Sequence, residues 1–157
     1  MGALACAVAA APPAWAQLPG AVFEQDPLAD GVVSIEAEHY HGIAAAVDGH
    51  EWQAASGGLY SGGGAMEVVP EDRLNWLSDY VGNSARLDYE VDFVATGTHY
   101  IWVRGLGPST SSDSLHVGID GAAVGTGENF NGFLPSGQLV WSGKSGSSVR
   151  RLSVATP

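Results

Sequence analysis

The sequence predicts an all-β fold, most simply a β-sandwich. Three observations carry that expectation. Several stretches alternate strictly between apolar and polar residues, 22 glycines fall largely between those stretches, and no segment after residue 31 keeps a 3.6-residue apolar period over three turns. Residues 17–31 hold Pro19, Gly20, Pro27 and Gly31 and read as a leader. The domain proper is expected over residues 32–157.

The elements follow in order. Val32–Tyr40 reads as a strand with Glu36, Glu38 and Tyr40 on one face and Ile35 and Ala37 on the other. Residues 41–64 are rich in Gly and Ala and read as a long loop or two short strands. Ala65–Val69 is a short strand stopped by Pro70. Arg86–Phe93 is the clearest strand: Leu87, Tyr89, Val91 and Phe93 alternate with Arg86, Asp88, Glu90 and Asp92, one set for the core and one for water. Gly97 marks a turn into a strand over His99–Arg104. Leu115, Val117 and Ile119 alternate again, and Asp120-Gly121 is a hairpin signal because glycine tolerates positive φ. Leu139–Trp141 and Arg151–Val154 complete the set, with Trp141 read as core. The chain stops at Thr156-Pro157 just after a strand, and a closed sandwich wants one more return strand. A domain truncated before its last strand is therefore expected.

The first residues read as an export signal. Ala3–Ala11 is an apolar run too short to span a bilayer, and Ala14-Trp15-Ala16 before Gln17 is a small-x-small cleavage pattern, so residues 1–16 are read as a signal peptide and the product as secreted or cell-surface. The signal lacks its usual opening Lys or Arg; the first basic residue is Arg73. Cys6 is the only cysteine and lies inside this segment. The mature domain then has no disulfide, zinc–thiolate site or thiol nucleophile. No later stretch is long and apolar enough to cross a membrane.

A net charge of -11 disfavours a phosphate backbone, so nucleic acid is excluded as a partner, whereas calcium, which prefers hard carboxylate oxygens, is compatible. With 45% hydrophobic and only 15% charged residues, the chain is no disordered acidic tail. Catalytic signatures are missing. There is no Gly-x-Ser-x-Gly elbow, P-loop or dinucleotide fingerprint, and a pair of acids among 17 is no glycosidase signal. No catalytic residue is assigned.

Three groups remain as candidates. His39-Tyr40-His41 with His50 could bind a transition metal but reads better as an ordinary surface pair. Glu36 and Glu38, if on a strand, would project the same way about 7 Å apart, either holding a cation or guarding a charged edge strand. Trp52, Tyr60, Trp76 and Tyr80 fall in the Gly-rich loop region. There they could stack on pyranose rings, with Asn75, Asp79 and Asn83 binding hydroxyls, or they could simply cover the end of the core. Tyr100, Trp102 and Arg104 share one strand face, read either as a concave sugar platform or, preferably, as a second core layer under a loop.

VSIEAEHY, SGGGAMEV, RLDYEVDF, GTHYIWVRG and DSLHVGIDG occur in that order. Together, over roughly residues 32–155, they resemble the carbohydrate-binding modules of families six and thirty-five, and are similar to the C-terminal domain of family one hundred and fifteen glycoside hydrolases. The resemblance implies a jelly-roll, galactose-binding-like β-sandwich appended to a secreted polysaccharide-degrading protein. It implies that Glu36 and Glu38, as the Glu-x-Glu of the first strand, ligate a structural Ca²⁺. A further acidic ligand on the last strand would lie beyond Pro157. It implies non-catalytic binding of a polysaccharide, in loops at one end or on a sheet face. The rival is an adhesion or spacer domain that binds no sugar.

Overall fold

The structure, a computed structural model, describes residues 21–28, 31–55, 60, 64–74, 78–133 and 138–156. The export signal at 1–16 lies outside the described residues. So does Trp76. The fold is all-β and sandwich-like, as alternation predicts. Its first strands are β1 (Phe23–Glu24), β2 (Gly42–Ala44), β3 (Glu51–Ala54) and β4 (Met66–Val69). A four-residue helical turn, α1 (Tyr80–Asn83), precedes β5 (Arg86–Asp88), β6 (Val91–Asp92), β7 (Gly97–Tyr100) and β8 (Val103–Gly105). The remaining strands are β9 (Gly118–Ile119), β10 (Ala122–Ala123), β11 (Val140–Ser142), β12 (Lys144–Ser145), β13 (Ser148–Val149) and β14 (Arg151–Val154). Among the described residues no helix is long and apolar enough to cross a membrane.

The Arg86–Phe93 alternation is realised residue by residue, with Leu87, Tyr89, Val91 and Phe93 part-buried and the residues between them exposed. Its two halves pair with different partners: β5 runs antiparallel to β2, whereas β6 runs parallel to β1. That second pairing lies inside the segment read as a leader. Phe23 is buried there, and so is Gln25, whose Oε1 accepts the N–H groups of Val94 and Ala95 at 3.0 and 3.1 Å. Gln25 Nε2 donates to the Gly31 carbonyl at 2.9 Å. A buried amide so used satisfies a turn that could otherwise bond only water.

Asp120 and Gly121, with φ of 52° and 70°, join β9 to β10 in a two-residue turn whose paired positive φ matches the strand twist. β3 and β4 form the second hairpin-like pair, ending where Pro70 follows Val69.

Val32–Tyr40 departs from the expectation. It joins no ladder, and Ala37–His39 is a 3₁₀ turn closed by the His39 N–H on the Glu36 carbonyl at 3.0 Å. The Tyr89 hydroxyl donates to the Ala37 carbonyl at 2.9 Å and ties this turn to the Arg86–Phe93 run. Regular pairing starts only with the His41 N–H on the Asp88 carbonyl.

The core contains Phe23, Ala46, Tyr80, Phe130, Phe133 and Val154. Phe130 is fully enclosed. It is positioned by a bridge to Leu115 that makes both backbone hydrogen bonds. Phe133 packs over Gly105, where an added methyl would come within 3.0 Å of the ring.

Candidate functional site

One sheet face carries the exposed aromatic side chains. β7 pairs antiparallel with β14 and β8 with β11, so Tyr100 stands opposite Arg151 and Arg104 opposite Trp141. Directly opposed residues share a face. Tyr100, Trp102 and Arg104, at every second position, therefore lie with Trp141 and Arg151 on one side. Ile101, Val103, Leu152 and Val154 take the other side, where they are part-buried or buried. Tyr100, Trp102 and Trp141 are 65%, 62% and 65% exposed.

The register explains how β11 and β14 line up along the extended run 97–105, which holds β7 and β8. Position numbers of paired residues sum to 245 between β8 and β11 (105 and 140) and to 251 between β7 and β14 (100 and 151). The difference of six is the length of the hairpin Lys144–Val149, made of β12 and β13, which loops out of the ladder. At its base the Arg150 N–H donates to the Gly143 carbonyl at 2.7 Å and the Ile101 N–H to the Arg150 carbonyl at 3.1 Å. Gly143 lies against Trp102: a methyl there would stand 2.9 Å from Cδ2 of the indole and 2.7 Å from the Ile101 carbonyl oxygen. Glycine at this position lets the indole lie over the strand.

This face corrects two expectations. Trp141 is not core, and Tyr100, Trp102 and Arg104 are not a second layer under a loop. LVWSG looks apolar throughout, so periodicity alone could not say which neighbour faces water. The usable signal was on the partner strand, where Arg104 is bound to face solvent and carries its neighbour Trp141 with it. Local charge is also distinctive. Arg104, Lys144, Arg150 and Arg151 are four of the six basic residues of the chain, and neither 97–105 nor 138–156 contains an Asp or Glu.

The loop aromatics are placed differently from one another. Tyr80 is 7% exposed; its ring stacks on His116 with centroids 4.0 Å apart, and its hydroxyl donates to Glu128 Oε1 at 3.0 Å. Burial, with the Glu128 carboxylate alongside, pushes the phenol pKa up to about 12. Tyr80 is a core residue. Trp52 is part-buried and donates its indole N–H to the Ala85 carbonyl at 3.2 Å. Tyr60 is part-buried.

Glu36 and Glu38 lie on either side of the start of the 3₁₀ turn and not along a strand. Glu38 Oε2 is buried and has no hydrogen-bond partner among the described residues. Its other oxygen lies near Gly64, where a methyl would come within 3.2 Å. Tyr89, in turn, has its phenol pKa raised by burial and then by the neighbouring Glu38 and Tyr40. Among the described residues no group of three or more His, Cys, Asp or Glu side chains is arranged to hold a metal. His39, His41 and His50 do not converge: His41 Nδ1 accepts the Glu90 N–H, and His50 lies between Asp48 and Asp72.

Residues 28–151 match the family described as the glycosyl hydrolase family 115 C-terminal domain. A protein of Formosa agariphila described as uncharacterized is 27% identical over 123 residues, covering 64% of this chain. The aligned part is 29% of that relative's length, so the chain corresponds to less than a third of it. No solved structure matches.

Proposed function

This chain belongs to the glycosyl hydrolase family 115 C-terminal domain family, and from that premise we propose that it is a non-catalytic carbohydrate-binding module working through the exposed face of Tyr100, Trp102 and Trp141. Membership makes it a domain of a glycoside-hydrolase-like protein, and an accessory domain of that kind is compatible with a region that does no chemistry itself. The observation that carries the reading is the exposure of three large aromatic side chains on one sheet face. Exposed rings grouped in this way are costly in water and mark interaction surfaces. Ring faces attract the C–H edges of pyranoses, and rings on neighbouring strands can follow a chain of sugar units.

Arg104 and Arg151 on the same face, in segments free of acid, support a glycan that carries negative groups over a neutral one. Trp52, Tyr60 and Trp76 are the loop alternative, and Trp52 is partly committed to Ala85. In the same reading Glu36 and Glu38 hold a structural Ca²⁺; the support is the buried, unpartnered Oε2 of Glu38, an oxygen suited to a hard cation. The chain acts on no bond; it holds a polysaccharide near the rest of the protein, outside the cell.

Affinity electrophoresis in gels containing neutral or acidic plant and algal polysaccharides tests the function. An open platform of a few rings should give a Kd on the order of 10 μM to 1 mM. Retardation by at least one glycan is expected. A folded chain that is retarded by none would return the domain to a spacer.

A further inference from the structure

His50 forms a three-part cluster with Asp48 and Asp72. It closes the turn between β2 and β3, directly before Glu51. Its Nδ1 lies 2.8 Å from Asp48 Oδ1 and its Nε2 lies 3.0 Å from Asp72 Oδ1. Asp48 belongs to the same turn, and its Oδ1 also accepts the His50 backbone N–H at 3.2 Å. Asp72 belongs to the segment that follows β4 and Pro70, and its Oδ1 also accepts the Leu74 N–H at 3.0 Å. The next residue back, Glu71, accepts the Ser112 hydroxyl at 2.6 Å. On the other side, the turn is tied to α1 by the Val47 N–H on the Asn83 carbonyl.

Ionised carboxylates only accept hydrogen bonds, and a neutral imidazole has only one N–H. Two carboxylates on the two ring nitrogens therefore require the imidazolium. Removing its proton puts a nitrogen lone pair against a carboxylate oxygen, and one of the two contacts has to open. The Asp48 contact is the one kept, because it spans two residues within a turn that Asp48 already closes through the backbone N–H. The Asp72 contact spans 22 residues and joins separate segments.

We infer that His50 is a proton-operated latch, fastening the Glu71–Leu74 segment to the β2–β3 turn when protonated and releasing it when neutral. Asp48 from the turn and Asp72 from the segment are the charged groups acting on the ring, and both favour its charged form. The hydrogen bond to Asp48 is the largest cause, partial burial opposes it, and the His50 pKa comes out above its ordinary value. Asp72 is correspondingly held below its usual range, by the Leu74 N–H first. The sign follows. A histidine whose pKa is raised in the folded state contributes its full stabilisation below about 6.5, its unfolded value, and loses it as pH rises through the folded value. The latch is closed at pH below the folded-state value of His50 and open above it.

The experiment combines the imidazole NMR titration of His50 in the full chain with hydrogen exchange at the Leu74 amide, from about pH 5 to pH 9, corrected for intrinsic exchange. His50 should titrate above its ordinary value. Leu74 protection should fall several-fold, with its midpoint at that same pH. In His50→Gln, which keeps a polar side chain but cannot titrate, protection should be low and flat with pH. Asp72→Asn should lower the His50 midpoint. Leu74 protection that stays constant through the His50 titration in the unmodified chain would overturn the latch, whatever the variants do. The same step persisting in His50→Gln would also overturn it.

Discussion

Trp141 and Phe130 are both large aromatic residues in apolar-looking sequence, and the structure gives them opposite fates. Replacing Trp141 with alanine removes a side chain that is 65% exposed. About a third of its surface is covered, on the order of 80 Å² of a tryptophan's roughly 250 Å². At about 25 cal/mol per Å² that is about 2 kcal/mol, and extended-chain reference states overstate it by roughly 10–40%. The expected cost of Trp141→Ala is therefore about 1–2 kcal/mol. Phe130 is 0% exposed, and Phe130→Ala should cost about 3–5 kcal/mol through lost transfer energy and the cavity left behind. For a domain of this size each kcal/mol moves Tm by roughly 2–4 °C. Urea unfolding of the full chain, followed by far-UV circular dichroism, reads both. Equal losses for the two variants, or a larger loss for Trp141→Ala, would refute the placement of the aromatic face in solvent.

Other outcomes follow from named contacts. Gln25→Ala removes the acceptor of two backbone N–H groups and the donor to Gly31; a loss of about 2–3 kcal/mol in urea midpoint is expected, and a loss below about 0.5 kcal/mol would contradict its anchoring role. Tyr80→Phe should cost about 1 kcal/mol and leave glycan retention unchanged. The raised phenol of Tyr80 should ionise only near pH 12 in ultraviolet titration. Its proton-linked stability is then complete below about pH 10 and is lost as pH rises through the folded value. Calcium at about 100 times its Kd should add about 2.7 kcal/mol to folding, with a smaller gain in Glu38→Gln; identical melting in calcium and in chelator would remove the cation from the account.

Much of this fold was legible where one residue set is charged. The Arg86–Phe93 strand declares its faces because Arg, Asp, Glu and Asp cannot be inside, and Asp120-Gly121 declares its turn because few other pairs accept two positive φ values. Legibility failed where both strand faces are apolar or aromatic. Along Tyr100–Val103 the alternation separates Tyr100 and Trp102 from Ile101 and Val103 but does not say which pair meets water. It failed again at Glu36–Tyr40, where a tertiary hydrogen bond from Tyr89 holds a turn that the local pattern does not encode. For Tyr80 the sequence left a sugar platform and a cover for the end of the core both open, because its partners His116 and Glu128 lie far along the chain. Phe130 and Phe133 sit in the polar, irregular stretch ENFNGF and carry no periodic signal, yet they help build the core.

The most direct test of the central claim is a titration of the indole N–H signals in a two-dimensional ¹H–¹⁵N spectrum of the full chain. The ligand is an oligosaccharide from whichever polysaccharide retards it most. Trp102→Phe and Trp141→Phe assign the two platform signals. The account predicts that the indole signals of Trp102 and Trp141 shift together with one Kd, while that of Trp52, bonded to Ala85, stays in place. Movement of the Trp52 signal with Trp102 and Trp141 unmoved would contradict it and place the glycan in the loops.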